Sequence, residues 1–320
     1  MVRICILQSM PIRQSTETGF YSILIMKKRL QKKNLKTVVL LLLLCSVTGL
    51  LCACAQKRGS SDSASSIASE LTFTDANGNS HTFTVDEEAA FHDYDTGLFS
   101  TDGQFMTYSD SEAYSYSCGI DVSYYQGTID WTQVKDAGFD FAFIRIGYRG
   151  YGTDGTLNED ERFAENLAGA RSAGLDVGVY FYAQAISEEE AAEEAAFVLD
   201  LLDGVSLTLP VIYDPEYVLD EDGNKLSQAR TSAIDGDQIS QNTLTFCSAI
   251  ENAGYETGFY ANMLFEALVL DMAALSEYTV WYADYADTPQ TPYAFSYWQY
   301  SDSGKIDGIE GSVDLNIRLF

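Results

Sequence analysis

The chain has 320 residues, 47 of them acidic and 19 basic, and its formal net charge is −28 at pH 7. Residues 1–58 hold ten of the basic residues and one acidic residue, so the rest of the chain carries 46 acids against nine bases, a net charge of −37. This charge excludes nucleic acid as a partner, because phosphate binding needs a basic surface, and it argues against adsorption onto an anionic membrane.

The first 54 residues carry the pattern of a bacterial export signal. A basic leader, residues 27–36, precedes the apolar run Val38–Leu51, whose fourteen residues fit the core of a signal peptide but are few for crossing a bilayer. The motif Leu51-Cys52-Ala53-Cys54 resembles a lipobox, and the small Ala53 makes Cys54 the expected acylated residue. Residues 1–54 are therefore predicted to be an N-terminal extension plus a lipoprotein signal peptide.

Such a signal places the protein on the outer face of the bacterial cytoplasmic membrane, attached only through a lipid on Cys54. A plain signal peptide and an uncleaved anchor are the alternatives to a lipoprotein signal. The cysteines outside this region are Cys118 and Cys247. They are predicted to be free thiols, because a bridge needs Cα atoms within about 7 Å and their elements are expected to lie far apart.

Two further segments precede the regular part of the chain. Residues 55–70 are predicted to be a flexible tether, since residues 59–69 contain six serines in eleven positions. Residues 71–117 form a separate small segment, in which apolar and polar residues alternate on both sides of Asn77-Gly78 and so predict a hairpin. Its remainder, residues 86–117, is interpreted as a small cap or irregular lead-in.

From Cys118 onwards, strand and helix patterns alternate with short links, which predicts a parallel sheet. Eight strands, of which the last three lack helices between them, favour a closed barrel over an open sheet. No Gly-x-Gly-x-x-Gly motif opens the first helix, so a dinucleotide fold is disfavoured. The acidic run within the predicted helix Ser187–Leu202 is interpreted as its solvated face. The predicted strands are Cys118–Ser123, Phe141–Gly147, Val177–Ala183, Val211–Asp214, Thr257–Ala261, Tyr278–Ala283, Phe295–Tyr300 and Val313–Ile317, and the other helices are Ile129–Ala137, Asp160–Ala173, Gln238–Ala253 and Met263–Ala274.

The run Val211–Glu216 ends in two carboxylates, Asp214 and Glu216, which a strand would project to the same face. Acid–base chemistry on a glycosidic bond needs such a pair, because a charged neighbour and partial burial can keep one carboxyl protonated near neutral pH. An acidic loop that merely follows a strand is the alternative interpretation.

Barrel enzymes carry their chemistry at the carboxyl ends of the strands. A cleft with carboxylates beside Tyr and Trp rings suits an oligosaccharide, although each aromatic residue taken singly could equally belong to the core. The predicted carboxylates are Asp121, Asp214, Glu216 and Asp314, and the predicted substrate-binding residues are Tyr148, Arg149, Tyr182, Gln184, Tyr260, Trp281, Tyr282 and Trp298.

A set of motifs in residues 118–320 resembles, in order, the motifs of glycoside hydrolase family 25, the Chalaropsis-type lysozymes or N-acetylmuramidases. One departure is Pro215, where the family usually has an apolar or aromatic residue. The motifs are Gly119-Ile120-Asp121-Val122-Ser123, Ile129-Asp130-Trp131, Ala142-Phe143-Ile144-Arg145, Gly178-Val179-Tyr180-Phe181-Tyr182, Tyr213-Asp214-Pro215-Glu216, Gly258-Phe259-Tyr260, Trp281-Tyr282-Ala283, Trp298-Gln299-Tyr300 and Val313-Asp314-Leu315-Asn316.

The resemblance implies a TIM-like β/α barrel at 118–320, with five complete β/α units and a strand-rich C-terminal end. It also implies hydrolysis of the β-1,4 bond between N-acetylmuramic acid and N-acetylglucosamine in peptidoglycan glycan strands by a monomer without a cofactor. Glu216 would be the general acid, Asp214 its partner, and Asp121 and Asp314 further carboxylates of the cleft. The chain has no His/Cys cluster, so no catalytic metal is expected. A peptidoglycan-binding module that has lost catalysis and a glycosidase of another polysaccharide are the alternatives.

Overall fold

A computed structural model describes residues 70–75, 78–109, 111–220 and 223–320. The expected signal peptide, Cys54 and the tether up to residue 69 lie outside these residues. Within the described ranges, no helix has both the length and the apolar character needed to cross a membrane. Cys118 and Cys247 are buried and free, which confirms the prediction for this pair.

The described part of the chain contains thirteen β-strands and five α-helices. The strands are β1 (Glu70–Thr74), β2 (Ser80–Thr84), β3 (Phe99–Asp102), β4 (Phe105–Tyr108), β5 (Tyr116–Val122), β6 (Phe141–Arg149), β7 (Leu157–Glu159), β8 (Asp176–Ala183), β9 (Val211–Pro215), β10 (Thr257–Asn262), β11 (Thr279–Ala283), β12 (Tyr297–Gly304) and β13 (Val313–Leu319). The helices are α1 (Trp131–Asp136), α2 (Phe163–Ser172), α3 (Glu188–Leu202), α4 (Gly236–Asn252) and α5 (Met263–Leu268).

Eight of these strands close into a barrel in the order β5-β13-β12-β11-β10-β9-β8-β6, with β6 pairing back onto β5. Neighbours are parallel except at β13, which is antiparallel to both β12 and β5. The expectation of five complete β/α units and a wholly parallel sheet was wrong. The barrel has eight strands, and β13 runs antiparallel to both of its neighbours. A loop of eight residues, 305–312, joins β12 to β13, whereas a parallel pair would need a longer crossover connection.

The barrel strands supply side chains to two apolar cores, because successive residues of a strand point to opposite faces. Phe143 and Trp281 belong to the core inside the barrel. Their chain neighbours Ile144 and Tyr282 belong to the core between the barrel and its outer layer. This alternation determines which of the aromatic side chains at the strand ends reach the cleft.

Side-chain caps fix several helix ends. Ser187 precedes α3 and accepts a hydrogen bond from the N–H of Glu190, as its capping pattern predicts. The helix predicted over Met263–Ala274 is too long, since α5 ends at Leu268. The carboxylate of Asp271 accepts from the N–H of Ala274 at 2.9 Å and starts a separate turn there, which competes with helix continuation.

Residues 70–115, called the N-terminal segment from here on, belong to the same compact unit as the barrel. The hairpin predicted there is confirmed by β1 and β2, which pair antiparallel. Residues 86–117 are more regular than the expected lead-in, because β3 and β4 form a second hairpin. Phe99 of β3 packs edge-on against Trp298 of β12, with ring centroids 5.1 Å apart, so the segment joins the outer core.

Candidate active site

A cleft of about 320 Å³ lies where the barrel strands end at their carboxyl side. It brings together seven residues that the sequence predicted for the site: Asp121, Tyr182, Asp214, Glu216, Tyr260, Trp281 and Asp314. The other lining residues are Ser123, Tyr125, Gln126, Arg145, Tyr180, Tyr285 and Gln299. The cleft is therefore built from carboxylates, tyrosines, amides and one arginine.

Asp214 and Glu216 come from the end of β9. Asp214 is 5% exposed and lies level with Tyr182 in the parallel pairing of β8 and β9. Pro215 is the last residue of β9, and the pairing with β10 stops at Tyr213. The missing N–H of the proline therefore removes no bond to β10, and the departure from the family pattern is accommodated at the strand end.

Burial raises the pKa of both carboxyls, and each is sensitive to nearby negative charge. The pKa of Glu216 rises to about 7, first through burial and then through the charge of Asp121. The pKa of Asp214 rises well above its usual range through burial and the charges of Glu216 and Asp121, while Arg145 acts in the opposite direction. Two close carboxylates do not both ionise easily, so the pair retains a proton near neutral pH.

Asp121 and Asp314 face each other across the antiparallel pair of β5 and β13. The Oδ2 atom of Asp121 accepts hydrogen bonds from the side-chain amides of Gln299 at 2.9 Å and Asn316 at 2.8 Å. Burial raises the pKa of Asp121, and these two bonds oppose the rise. The pKa of Asp314 is raised to about 9 by burial and by the neighbouring Asp121, so Asp314 holds its proton at neutral pH.

Gln299 and Asn316 fix the orientation of the aromatic walls as well as of Asp121. The Oε1 atom of Gln299 accepts from the hydroxyls of Tyr260 at 3.2 Å and Tyr285 at 3.1 Å. The Oδ1 atom of Asn316 accepts from the indole N–H of Trp281 at 2.8 Å. Both amides are buried and sit inside apolar strand sequence, which is the signal that could have identified them as site residues.

Arg145 supplies the positive charge of the cleft, and sequence reasoning missed this role. Its Nε donates to Asp160 at 2.8 Å, and its guanidinium lies over the rings of Tyr124, Tyr125 and Tyr148 at 5.1 to 5.5 Å. An arginine within the apolar run of β6 is unusual enough to mark a functional position. Among the described residues, no cluster of His, Cys, Asp and Glu is arranged to hold a metal ion.

Comparison with known proteins gives this cleft a context. The sequence pattern of the glycosyl hydrolases family 25 matches residues 120–309. The chain belongs to glycosyl hydrolase family 25. The family 25 region is 29% identical over 199 residues to an autolytic lysozyme of Clostridium acetobutylicum and 31% identical over 207 residues to lysozyme M1 of Streptomyces globisporus. Each match covers 62% of this chain but only 54% and 66% of the relative, so the chain spans about half to two thirds of their length.

Solved structures show the same fold. A bacterial lysozyme from Streptomyces coelicolor matches 63% of this chain and 91% of its own, with 25% identity and a TM-score of 0.50. The modular autolysin LytC from Streptococcus pneumoniae matches 79% of this chain and 57% of its own, with 21% identity and a TM-score of 0.57. The barrel of this family 25 chain is thus shared with both.

Two predicted substrate-binding residues of the family 25 barrel lie outside the cleft. Tyr282 follows the cleft residue Trp281 and therefore points outward, where its hydroxyl donates to Asp284 at 2.8 Å. Trp298 precedes the cleft residue Gln299, and its indole N–H donates to the carbonyl of Asp284 at 2.7 Å. Their assignment to substrate was wrong because strand-end positions were counted without regard to the alternation of side chains.

Arg149 is likewise not available to a ligand in the cleft. It is 4% exposed, and its Nε donates to the carboxylate of Glu194 on α3 at 2.8 Å. Glu194 is fully buried, so the interpretation of the whole acidic run as a solvated face was wrong at this position. Its spacing from Ala191, Ala195 and Val198, all buried, places it on the apolar stripe of α3. Tyr148 lies outside the lining, and its ring centroid is 5.2 Å from the guanidinium carbon of the cleft residue Arg145.

Gln184 lies behind Glu216 rather than beside the substrate path. Its side-chain amide donates to the backbone carbonyl of Glu216 at 2.7 Å, and its Oε1 accepts from the hydroxyl of Thr231 at 2.8 Å. Its own N–H donates to Glu194, whose other oxygen accepts from the hydroxyl of Tyr213. These bonds tie the ends of β8 and β9 to α3, so Gln184 supports the candidate acid instead of binding sugar.

Proposed function

We propose that this protein is a muramidase that hydrolyses the β-1,4 bond between N-acetylmuramic acid and N-acetylglucosamine in peptidoglycan. The observation that carries the proposal is the paired carboxylates of Asp214 and Glu216 in an aromatic-lined cleft of a family 25 barrel. The names of its relatives support the substrate class, because two are lysozymes and the LytC structure was also solved with a synthetic peptidoglycan ligand.

The proton of the carboxyl pair belongs on Glu216 in this mechanism. Arg145 opposes the rise in the pKa of Asp214, and Glu216, the more exposed of the two, is the carboxyl that can reach the leaving oxygen. With a pKa of about 7, Glu216 is protonated in mildly acidic solution and can donate to the leaving oxygen of the glycosidic bond. Glycosidases usually combine such an acid with a second carboxylate that assists attack at the sugar carbon.

The ionised carboxylates of the cleft have a second task. The transition state of glycoside hydrolysis has oxocarbenium character, and nearby negative charge stabilises it. Asp121 accepts two amide hydrogen bonds that favour its ionised form, and the neighbouring Asp314 carries a proton of its own. Asp214 and Asp121 therefore provide the negative charge, while Glu216 and Asp314 carry the protons.

Digestion of purified peptidoglycan tests the activity. The wild-type protein should release fragments with muramic acid at the reducing end, identified by mass, and Glu216→Gln serves as the inactive control. Fragments that end in N-acetylglucosamine would contradict muramidase specificity. Cleavage of another polysaccharide, with peptidoglycan left intact, would instead favour a different glycosidase.

We further propose that the protein is a monomeric lipoprotein, held through Cys54 on the outer face of the bacterial cytoplasmic membrane. The support is the basic leader, the fourteen-residue apolar run and the lipobox-like motif that ends at Cys54. Cys54→Ala should move the protein from the membrane fraction to the medium without loss of specific activity. A variant that stays in the membrane fraction would favour an uncleaved anchor or acylation at Cys52.

A further inference from the structure

The N-terminal segment covers the part of the barrel that has no helical layer. Within the described residues, β11, β12 and β13 follow one another without an α-helix between them. The outward side chains of these strands pack instead on the segment, as Trp298 does on Phe99. Tyr94 also packs edge-on against Phe295, with centroids 5.0 Å apart, and its hydroxyl donates to the Phe295 carbonyl. The segment thus acts as the outer layer here.

The segment also bonds to the loop between β11 and β12, residues 284–296. Phe91 forms an isolated antiparallel bridge with Tyr293. The N–H of Ala294 donates to the carbonyl of Ala90 at 2.9 Å, and the N–H of His92 donates to the carbonyl of Pro292 at 3.2 Å. The loop is therefore paired with the segment over several consecutive residues.

Gln290 makes the same connection with its side chain. Its Oε1 accepts from the N–H of Thr74 at 3.0 Å, and its Nε2 donates to the Thr74 carbonyl at 3.0 Å. The same Nε2 lies 3.1 and 3.2 Å from the carboxylate oxygens of Asp284. Thr74 ends β1, so one side chain connects the first hairpin to the start of the loop.

The start of the loop carries a wall of the cleft. Tyr285, directly after Asp284, is 45% exposed and donates its hydroxyl to Gln299 at 3.1 Å. Gln299 in turn donates to Asp121. A continuous set of contacts therefore leads from Thr74 to the cleft, through Gln290, Asp284 and Tyr285. An exposed tyrosine ring in this place offers an apolar face to a sugar ring.

We propose that the N-terminal segment is a positioning element of the cleft, which holds the 284–291 loop so that Tyr285 contacts the bound glycan. The segment thereby contributes to glycan affinity, although none of its described residues lines the cleft. The proposal rests on the proposed function, because it takes the ligand to be a peptidoglycan glycan. It also extends the working catalytic unit to residue 70, upstream of the boundary predicted at 118.

Gln290→Met tests the proposal, since it keeps the side-chain length and removes the side-chain bonds to Thr74 and Asp284. Loss of a hydrogen-bonded support of about 1 kcal/mol should raise KM for soluble peptidoglycan fragments about three- to tenfold, while kcat stays within about twofold. Gln133→Met is the matched control, because Gln133 bonds an aspartate on the exposed surface of α1, away from the cleft. It should leave KM unchanged.

A double-mutant cycle with Tyr285→Ala gives the second measurement. If Gln290 acts through Tyr285, Gln290→Met should add little to the KM of Tyr285→Ala. Hydrogen exchange of residues 285–291 should be faster in Gln290→Met than in wild type or Gln133→Met. An unchanged KM, or KM effects that simply multiply, would overturn the proposal. If the wild type cleaves no peptidoglycan, the proposed function fails. Hydrogen exchange of residues 285–291 that is unchanged in Gln290→Met would refute the positioning role independently of that result.

Discussion

Glu216 is partly buried and Glu194 is fully buried, and burial is the main reason that the pKa of each is raised to about 7. Their surroundings differ. Glu194 lies behind the cleft, and its two oxygens accept from a guanidinium, a phenol hydroxyl and a backbone N–H. Glu216 lines the cleft next to Asp214, whose Oδ1 accepts from no group among the described residues. A raised pKa therefore marks both a structural and a candidate catalytic carboxyl, and access to the cleft separates them.

The largest difference between the two should appear in Glu216→Gln. The amide cannot donate the proton that the leaving oxygen needs, and general acid catalysis is worth about two to four orders of magnitude. We expect a loss of kcat of that size with a nearly unchanged melting temperature. Turnover within about tenfold of the wild type would remove Glu216 from its role.

Glu194→Gln should instead act on stability. The substitution leaves Arg149, which is almost fully buried, without its main partner, and breaking a buried pair costs about 3 kcal/mol or more of unfolding free energy. Urea unfolding measures the loss, which should be smaller at pH 8 than at pH 5, because the raised pKa of Glu194 means that wild-type stability falls as the pH rises towards 7. Glu193→Gln is the matched control, because it pairs with the same arginine from a 62% exposed side chain and should cost less than about 1 kcal/mol. Equal losses in the two variants would contradict the account.

Asp314→Asn should stabilise the protein in a pH-dependent way. The pKa of Asp314 is raised to about 9, so the folded protein keeps a proton that the unfolded chain releases near the ordinary value of 3.8. Wild-type stability is therefore lost as the pH rises through this window. The variant lacks this loss, and its advantage in melting temperature should be larger at pH 8 than at pH 4. Asp307→Asn, at an exposed aspartate, controls for the change of net charge.

Thr231→Val should have the smallest effect. It removes the hydroxyl that donates to Gln184, whose amide in turn donates to the backbone carbonyl of Glu216. The lost hydrogen bond is worth about 1 kcal/mol, so kcat should fall about threefold to tenfold while KM changes little. Thr231→Ser keeps the hydroxyl and should restore most of kcat. Equal kcat values for the valine and serine variants would show that the contact is merely structural.

The barrel and much of the cleft were predictable from sequence. The apolar runs of the barrel strands are long and regular, and the carboxylates follow them directly, so the topology places Asp121, Asp214 and Asp314 at one end. The errors at Tyr282 and Trp298 have one cause. Counting residues to a strand end does not say which face a side chain takes, and a shift of one position moves it to the opposite side.

Long-range contacts explain what the sequence could not reveal. Gln299 and Tyr285 lie far along the chain from Asp121, and only barrel closure brings them together. The N-terminal segment has weak periodicity, because many of its side chains pack on barrel residues far along the chain, as Phe99 does on Trp298. Glu194 could have been identified, since it falls on the apolar stripe of α3 despite its acidic neighbours.

The pH dependence of kcat/KM on soluble peptidoglycan fragments tests the role of Glu216 as the general acid. Activity should decline above a pH of about 7, as Glu216 loses its proton, while circular dichroism shows that the protein is still folded. Asp121→Asn should move this decline to lower pH, because Asp121 is the negative charge that helps to raise the pKa of Glu216. Activity that stays constant up to pH 9 in the folded protein would contradict the assignment of Glu216 as the acid.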